Sequence, residues 1–296
     1  MQTVQADGLA TGTTGVWCTT DGMSAREAAT FAGRLAELGY TALWLPETFG
    51  RDPFAHIGYL AAQAPALTYA TGIANIHHRH PGAMAQAART LAECGQFVLG
   101  LGVSHAPLVE GLRQLDYGKP LQTMRTYLDT LDAAPYAGPG DGAPPRVLAA
   151  LGPKMLALAS ERSDGAHTYW STPEHTATAR QILGAGKLLC VEQKVVLTDD
   201  VDAARAMARK AMRVYDTLPN YRNHWLRLGF DVDAIDTHAD AFIDALVAYG
   251  DVDAIVARLD AHRAAGADHV CIQPLTVDKP FAVDMAALEQ IAGALG

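Results

Sequence analysis

Short apolar runs alternate with amphipathic stretches along most of this chain. "TTGVWCTT" (13–20) reads as a strand. The segment after it places Ala28, Phe31, Leu35 and Leu38 at helical spacing, with Asp21 or Ser24 as N-cap and Gly39 as the stop. "TALWLPE" (41–47) is a second strand, ended by Pro46. A helix through "DPFAHIGYLAAQA" leads to a third strand, "TYATGIANI". A helix from Pro81 to Gly95 then precedes "FVLGLGV". Beyond a polar loop at 104–118, Leu121, Met124, Leu128 and Leu131 form one stripe. "RVLAAL", "GAHTYW", "LLCVEQKVVL" and "DHVCIQPL" complete eight predicted strands, with Pro153 at a first helical position.

Near-continuous apolar strands alternating with helices predict a parallel sheet covered on both faces. Eight such units in 296 residues fit a (β/α)8 TIM barrel better than an open doubly wound sheet. "GLGVSH" (100–105) stops short of a dinucleotide-binding G-x-G-x-x-G. About three helical segments are expected at 199–262, between the seventh and eighth strands. "PYAGPGDGAPP" (135–145) reads as a surface loop, so residues 1–296 are taken as one domain.

The formal net charge of −9 and the lack of any Lys/Arg block argue against a nucleic-acid partner. No run approaches the ~18 apolar residues of a membrane span, and the first thirty residues carry no secretory pattern. Cys18, Cys94, Cys190 and Cys271 are widely spaced, which predicts reduced thiols and a cytoplasmic protein.

A barrel of this kind carries its chemistry at the C-terminal ends of its strands. Those ends offer Trp17-Cys18-Thr19, Pro46-Glu47-Thr48, Asn75-Ile76-His77, Val103-Ser104-His105, Leu151-Gly152-Pro153, Thr168-Tyr169-Trp170, Glu192-Gln193 and Gln273-Pro274. His77, His78 and His80 sit within four positions. Neighbours on an extended segment point apart, however, so no metal site is expected. Of the cluster only His77 is near enough to its strand to be a pocket residue, and His78, Arg79 and His80 lead into the Pro81 helix. The "ALGPKM" turn (150–155) is either a plain tight turn or an anion site at a helix N-terminus, with Lys154 adding charge. Glu47 either pairs with Arg51 or acts on a ligand. No G-x-S-x-G elbow is present, and adjacent Ser104 and His105 do not make a triad.

"GVW", "LWLPETFGRDP", "TGIANIHHRHP", "FVLGLGVSHAPLVEG", "KPLQTMRTYLDTL" and "LAALGPKMLALASERSDGAHTY" together resemble the bacterial luciferase-like superfamily. Within it they look most like the coenzyme F420-dependent oxidoreductases of actinobacteria. The resemblance is collinear from about residue 13 to 275 and implies a (β/α)8 barrel. It also implies a deazaflavin, coenzyme F420, or in relatives FMN, in the mouth. The cofactor's phosphate-bearing tail would rest on Ala150, Leu151, Gly152, Pro153, Lys154 and Met155. A non-proline cis peptide at Gly72-Ile73 would back its ring. Glu47, Asn75, Val103, Ser104, His105, Thr168 and Tyr169 would be further contacts.

Sugar-phosphate-oxidising relatives carry an Asp-His pair where this chain has Glu47 and Thr48, and a glutamate where it has His105. The same substrate and acid–base chemistry are therefore not implied. The expected activity is hydride transfer between F420 and a small organic substrate. His105 is the first candidate for the proton, followed by His77 and Glu47, and the resemblance implies a homodimer. Three other readings are an FMN-dependent monooxygenase, a non-catalytic deazaflavin-binding barrel and a metal-dependent hydrolase.

Overall fold

A computed structural model describes residues 9–139, 142–276 and 282–295. The expected barrel is present. Its staves are β1 (Thr13–Trp17), β2 (Ala42–Leu45), β3 (Thr68–Thr71) continued by β4 (Ala74–Asn75), β5 (Phe97–Gly102), β6 (Arg146–Ala149), β7 (Gly165–Thr168), β8 (Leu188–Leu197) and β10 (His269–Pro274). Neighbours pair in parallel around the ring, and β10 closes it by pairing with both β8 and β1.

The helices start where local chemistry directs. Ser24 and Glu27 form a reciprocal capping box at the head of α1 (Ala25–Glu37), and Gly39 takes a left-handed φ of 87° just beyond its end. Proline occupies the first turn of α2 (Pro53–Gln63), α3 (Pro81–Cys94), α4 (Pro120–Asp132), α5 (Pro153–Arg162) and α6 (Pro173–Leu183), where its missing N–H costs no hydrogen bond.

The expectation of about three helical segments after β8 needs correction. The chain forms α7 (Val201–Met212), α8 (Pro219–Arg227), α9 (Val232–Thr237), α10 (Asp240–Leu246) and α11 (Val252–Ala264) before β10; α12 (Met285–Ala292) follows it. Between α10 and α11 lies an extra strand, β9 (Val247–Gly250), paired with the outer half of β8. No breaker separates Leu246 from Val247, so α10 and β9 read as one apolar run. The loop at 104–118 holds a single π-helical turn at Pro107–Leu112.

Apolar side chains between strands and helices form the main core. A second cluster, built on Trp225, Phe242 and Trp170, unites α7–α10 with the end of β7. The lumen holds Leu9, Trp17, Ala42, Trp44, Ala70, Val98, Val147, Cys190 and Cys271. Two neutral histidines complete it. His269 accepts from Trp44 Nε1 (3.1 Å) and bonds Thr13 (2.8 Å), while His167 stacks on Trp44 at 4.6 Å. Burial holds them down, to about 3 for His269 and about 4 for His167. Cys18, Cys190 and Cys271 are buried free thiols, and Cys94 is exposed. No helix among the described residues is long and apolar enough to cross a membrane.

Candidate active site

The mouth is organised around a bulge between β3 and β4. The Gly72-Ile73 peptide is cis, at the position implied by the resemblance. The Trp17 indole N–H donates to the Gly72 carbonyl at 2.9 Å, the Gly72 N–H donates to Leu45 O, and Ile73 O accepts from the Glu47 N–H. Only glycine fits at 72: a Cβ there would lie 2.6 Å from Trp17 Nε1 and 3.3 Å from Trp44 Cβ. Across the lumen the Trp17 ring meets Tyr169 at 5.1 Å, and the Tyr169 hydroxyl donates to Gln273 Oε1 (2.9 Å) and touches the Tyr215 hydroxyl (3.1 Å). Together Trp17, the bulge and Tyr169 make a largely apolar floor, its two rings inclined at 46°.

Glu47 is not paired with Arg51. Its carboxylate, 6% exposed, accepts from Arg79 (2.5 Å), lies 3.2 Å from His78 Nδ1, and takes the Asn75 N–H at 2.8 Å. Arg79 reaches on to Asp52 and lies over the Phe54 ring. Arg51 instead contacts Asp21 through its N–H and Met23 O through its guanidinium. Asn75 spends its side chain on its own loop, with Oδ1 accepting the His77 N–H and Nδ2 bonding His78 Nε2, both at 3.0 Å. The reading of His78 and Arg79 as mere helix approach therefore gives way to an ionic clasp on the bulge. His80 does begin α3, with Nδ1 accepting the Gly82 N–H.

His77 bonds the Val103 backbone and packs on Tyr117 at 5.6 Å. Its Nε2 is buried without a partner, which leaves one ring nitrogen available to a ligand. Burial, then the neighbouring His78, lowers its pKa. Beyond Val103, Ser104 takes a left-handed φ of 57°, and its carbonyl accepts the Tyr117 hydroxyl at 2.9 Å. His105 bonds Asn220 and packs on Tyr221 at 5.6 Å; burial lowers its pKa and so favours the neutral imidazole.

At the α5 N-terminus, Gly152 is an N-cap with no side-chain bond. The Arg227 guanidinium of α8 lies 3.4 Å from where a Gly152 Cβ would stand. Lys154 is exposed, Ala150 is buried, Leu151 O bonds His175 Nε2 (3.0 Å), and the Met155 N–H is tied back to Gly152 O. Thr168 is fully buried, with an unpartnered hydroxyl. By strand alternation it faces away from the lumen side that holds His167 and Tyr169.

Sequence reasoning named Trp17 and Glu192 only among the strand ends and Arg79 only as helix approach, and it left out Arg227 and the pairing of Glu192 with Lys194. The last pair carried a readable signal, two opposite charges at i and i+2 inside an otherwise apolar strand. Among the described residues, no group of three or more His, Cys, Asp or Glu side chains is arranged to hold a metal ion.

Residues 4–269 match the family model described as luciferase-like monooxygenase. The chain belongs to this family. It is similar to a Mycobacterium tuberculosis protein provisionally named coenzyme F420-dependent oxidoreductase Rv3520c, at 24% identity over 78% of this chain and 85% of that one. The coenzyme F420-dependent tetrahydromethanopterin reductase of Methanopyrus kandleri shares the fold with a TM-score of 0.73, at 17% identity over 96% of this chain and 98% of that chain. So does an FMN-bound Pseudomonas putida 3,6-diketocamphane monooxygenase, with a TM-score of 0.67, 18% identity, and 95% and 96% coverage.

Within this family the mouth suits a flat heterocycle with an anionic tail. Trp17, the bulge and Tyr169 give it an aromatic lining, the two rings inclined at 46° to each other. His77 Nε2 is a buried polar atom still lacking a partner, and Lys154 with Arg227 gives one end of the mouth a positive pole.

Proposed function

We propose that this chain is an oxidoreductase that transfers a hydride between the deazaflavin coenzyme F420 and a small organic substrate. The observation that carries the reading is the Trp17–Gly72–Tyr169 floor, with a cationic helix N-terminus at one end of the same mouth. Trp17 and Tyr169 would hold the ring, Gly152, Lys154 and Arg227 the phosphate-bearing tail, and Ile73, Val103 and Ser104 the ring's edge. When bound, the cofactor supplies the two-electron chemistry. The chain's task is then to orient the substrate, exclude water and move one proton.

His105 is best placed for that proton. Its ring is fixed between Asn220 and Tyr221, and a neutral imidazole can accept the proton of a substrate hydroxyl or return it to a carbonyl oxygen. His77 Nε2 serves as an acceptor that orients the ligand. Glu47 keeps both oxygens occupied by Arg79, His78 and the Asn75 N–H, so it shapes the bulge and takes no part in proton transfer. Its role as a proton-transfer group is given up on that ground. The homodimer and the cytoplasmic setting belong to the same reading.

An FMN-dependent monooxygenase is the second reading, favoured by an FMN-bound protein of the same fold. Reconstitution separates the two. Reduced F420 offered with a panel of ketones, aldehydes and enones should be consumed with stoichiometric product. Turnover with reduced FMN and oxygen, alongside inert F420, would overturn the first reading. A tight F420 complex that reduces nothing on the panel would point to the non-catalytic barrel.

A further inference from the structure

β8 runs L-L-C-V-E-Q-K-V-V-L, and its two-residue period sends Cys190, Glu192 and Lys194 into the lumen and Val191 and Val195 into the outer core. The two charged side chains are 0% and 1% exposed, and Lys194 Nζ lies 2.9 Å from Glu192 Oε2. Removing two ions from water is costly, and a well-packed apolar pair of the same volume is commonly as stable or more so. Stability alone therefore does not account for the pair.

Its surroundings do. Lys194 Nζ stands 3.6 Å from the centre of the Tyr169 ring and 3.9 Å from that of Trp170, so the ammonium is seated against two aromatic faces while Glu192 holds it from another side. The Trp170 N–H points at the same carboxylate oxygen, at 3.5 Å. Trp170 itself sits at φ 52°, a conformation that a bulky residue adopts only where its surroundings enforce it. Tyr169 passes this restraint on through its 5.1 Å contact with Trp17, whose indole N–H holds the Gly72 carbonyl. One contiguous set of contacts thus runs from Lys194 to the bulge.

We infer that the Glu192–Lys194 ion pair is the positioning element of the ring site, fixing the Tyr169–Trp17–Gly72 chain of contacts against which a flat heteroaromatic ligand lies. The inference rests on the proposed function for the ligand, but not for the hold of Glu192 and Lys194 on the rings. Neither charged group touches the ligand; both act through Tyr169 and Trp170.

The test is the double variant Glu192→Leu/Lys194→Met, which removes both charges and leaves neither ion unpaired. Two readouts are taken. The ligand-free near-UV circular dichroism reports the fixed rings of Tyr169, Trp170 and Trp17, and fluorescence quenching gives the Kd for F420 and for FMN. The expected result is a folded protein with far-UV signal intact, a weakened near-UV band, and a Kd for the preferred cofactor raised about tenfold, some 1.4 kcal/mol. A double variant with the wild-type near-UV band and a Kd within about twofold of wild type would overturn the inference, since the pair would then be replaceable packing.

If the double variant does not fold, Tyr169→Leu decides, because the pair acts through that ring. It should weaken the near-UV band and lose about tenfold in affinity, and unchanged binding would overturn the inference. If wild-type protein binds neither cofactor, the proposed function fails, while the near-UV comparison still tests the hold of Glu192 and Lys194 on the rings.

Discussion

Replacing Glu47 separates a clasp from an acid–base role. The carboxylate is 6% exposed and accepts from Arg79, His78 and the Asn75 backbone. Glu47→Ala would strip all of these and leave the Arg79 guanidinium, 16% exposed, with Asp52 as its remaining anion. Removing one partner of a buried pair typically costs about 3–5 kcal/mol. Asp52 is half-exposed and keeps part of that interaction, which places the expected loss near the lower end, about 3 kcal/mol. Glu47→Gln keeps an oxygen for the Asn75 N–H and should lose about 2 kcal/mol, the scale of hydrogen bonds to charged groups. Urea unfolding followed by far-UV circular dichroism would read these losses as lower midpoints at unchanged slope. Asp52→Asn, on the solvent side of the same network, should lose no more than about 1 kcal/mol. The reasoning is refuted if Glu47→Gln keeps the wild-type midpoint yet loses turnover a hundredfold, because Glu47 would then be a proton-transfer group.

Gly72→Ala forces a methyl to within 2.6 Å of Trp17 Nε1. It should cost about 1–3 kcal/mol and weaken cofactor binding, both readable from one thermal-shift series with and without ligand. His105→Asn should leave cofactor affinity within a few-fold and lower kcat by about 10²–10⁴; a kcat within threefold of wild type would remove His105 from the proton step. Acid should destabilise the fold. His167 is held to about 4, His262 and His269 to about 3 and His224 to about 2, chiefly by burial. The unfolded chain therefore binds protons first, and stability is lost as pH falls below about 6.5, by up to about 1.4 kcal/mol per pH unit for each histidine. A urea midpoint that stays flat from pH 7 to pH 5 would contradict this.

Much of the barrel could be read from one-dimensional pattern because its strands are buried on both faces and its helices on one. Pro81 and Pro153 at the heads of α3 and α5, and Ser24 as a candidate N-cap of α1, are local devices, so a local reading finds them. Leu246-Val247 carries no such mark. Strand β9 exists only because β8 offers it an edge, a tertiary fact with no local trace. The cis bulge at Gly72-Ile73 came from family resemblance, not from periodicity. Arg79 was misread because its partner, Glu47, lies 32 positions back along the chain and comes close only when β2 and β3 pair. Arg227 stands beside Gly152 through the packing of α8, which nothing in "PNYRNHWLR" announces. Glu192 and Lys194 did leave a signal in the sequence itself, since a buried parallel strand has no solvent face on which to place a charge.

The most direct measurement is a paired titration of purified protein with F420 and with FMN, each followed by fluorescence quenching and repeated at low and high salt. F420 is expected to bind at micromolar concentration or tighter and FMN at least about tenfold more weakly. Salt should weaken the F420 complex, because the proposed function places Lys154 and Arg227 at its anionic tail. FMN binding more tightly than F420, or neither compound quenching at all, would contradict the account.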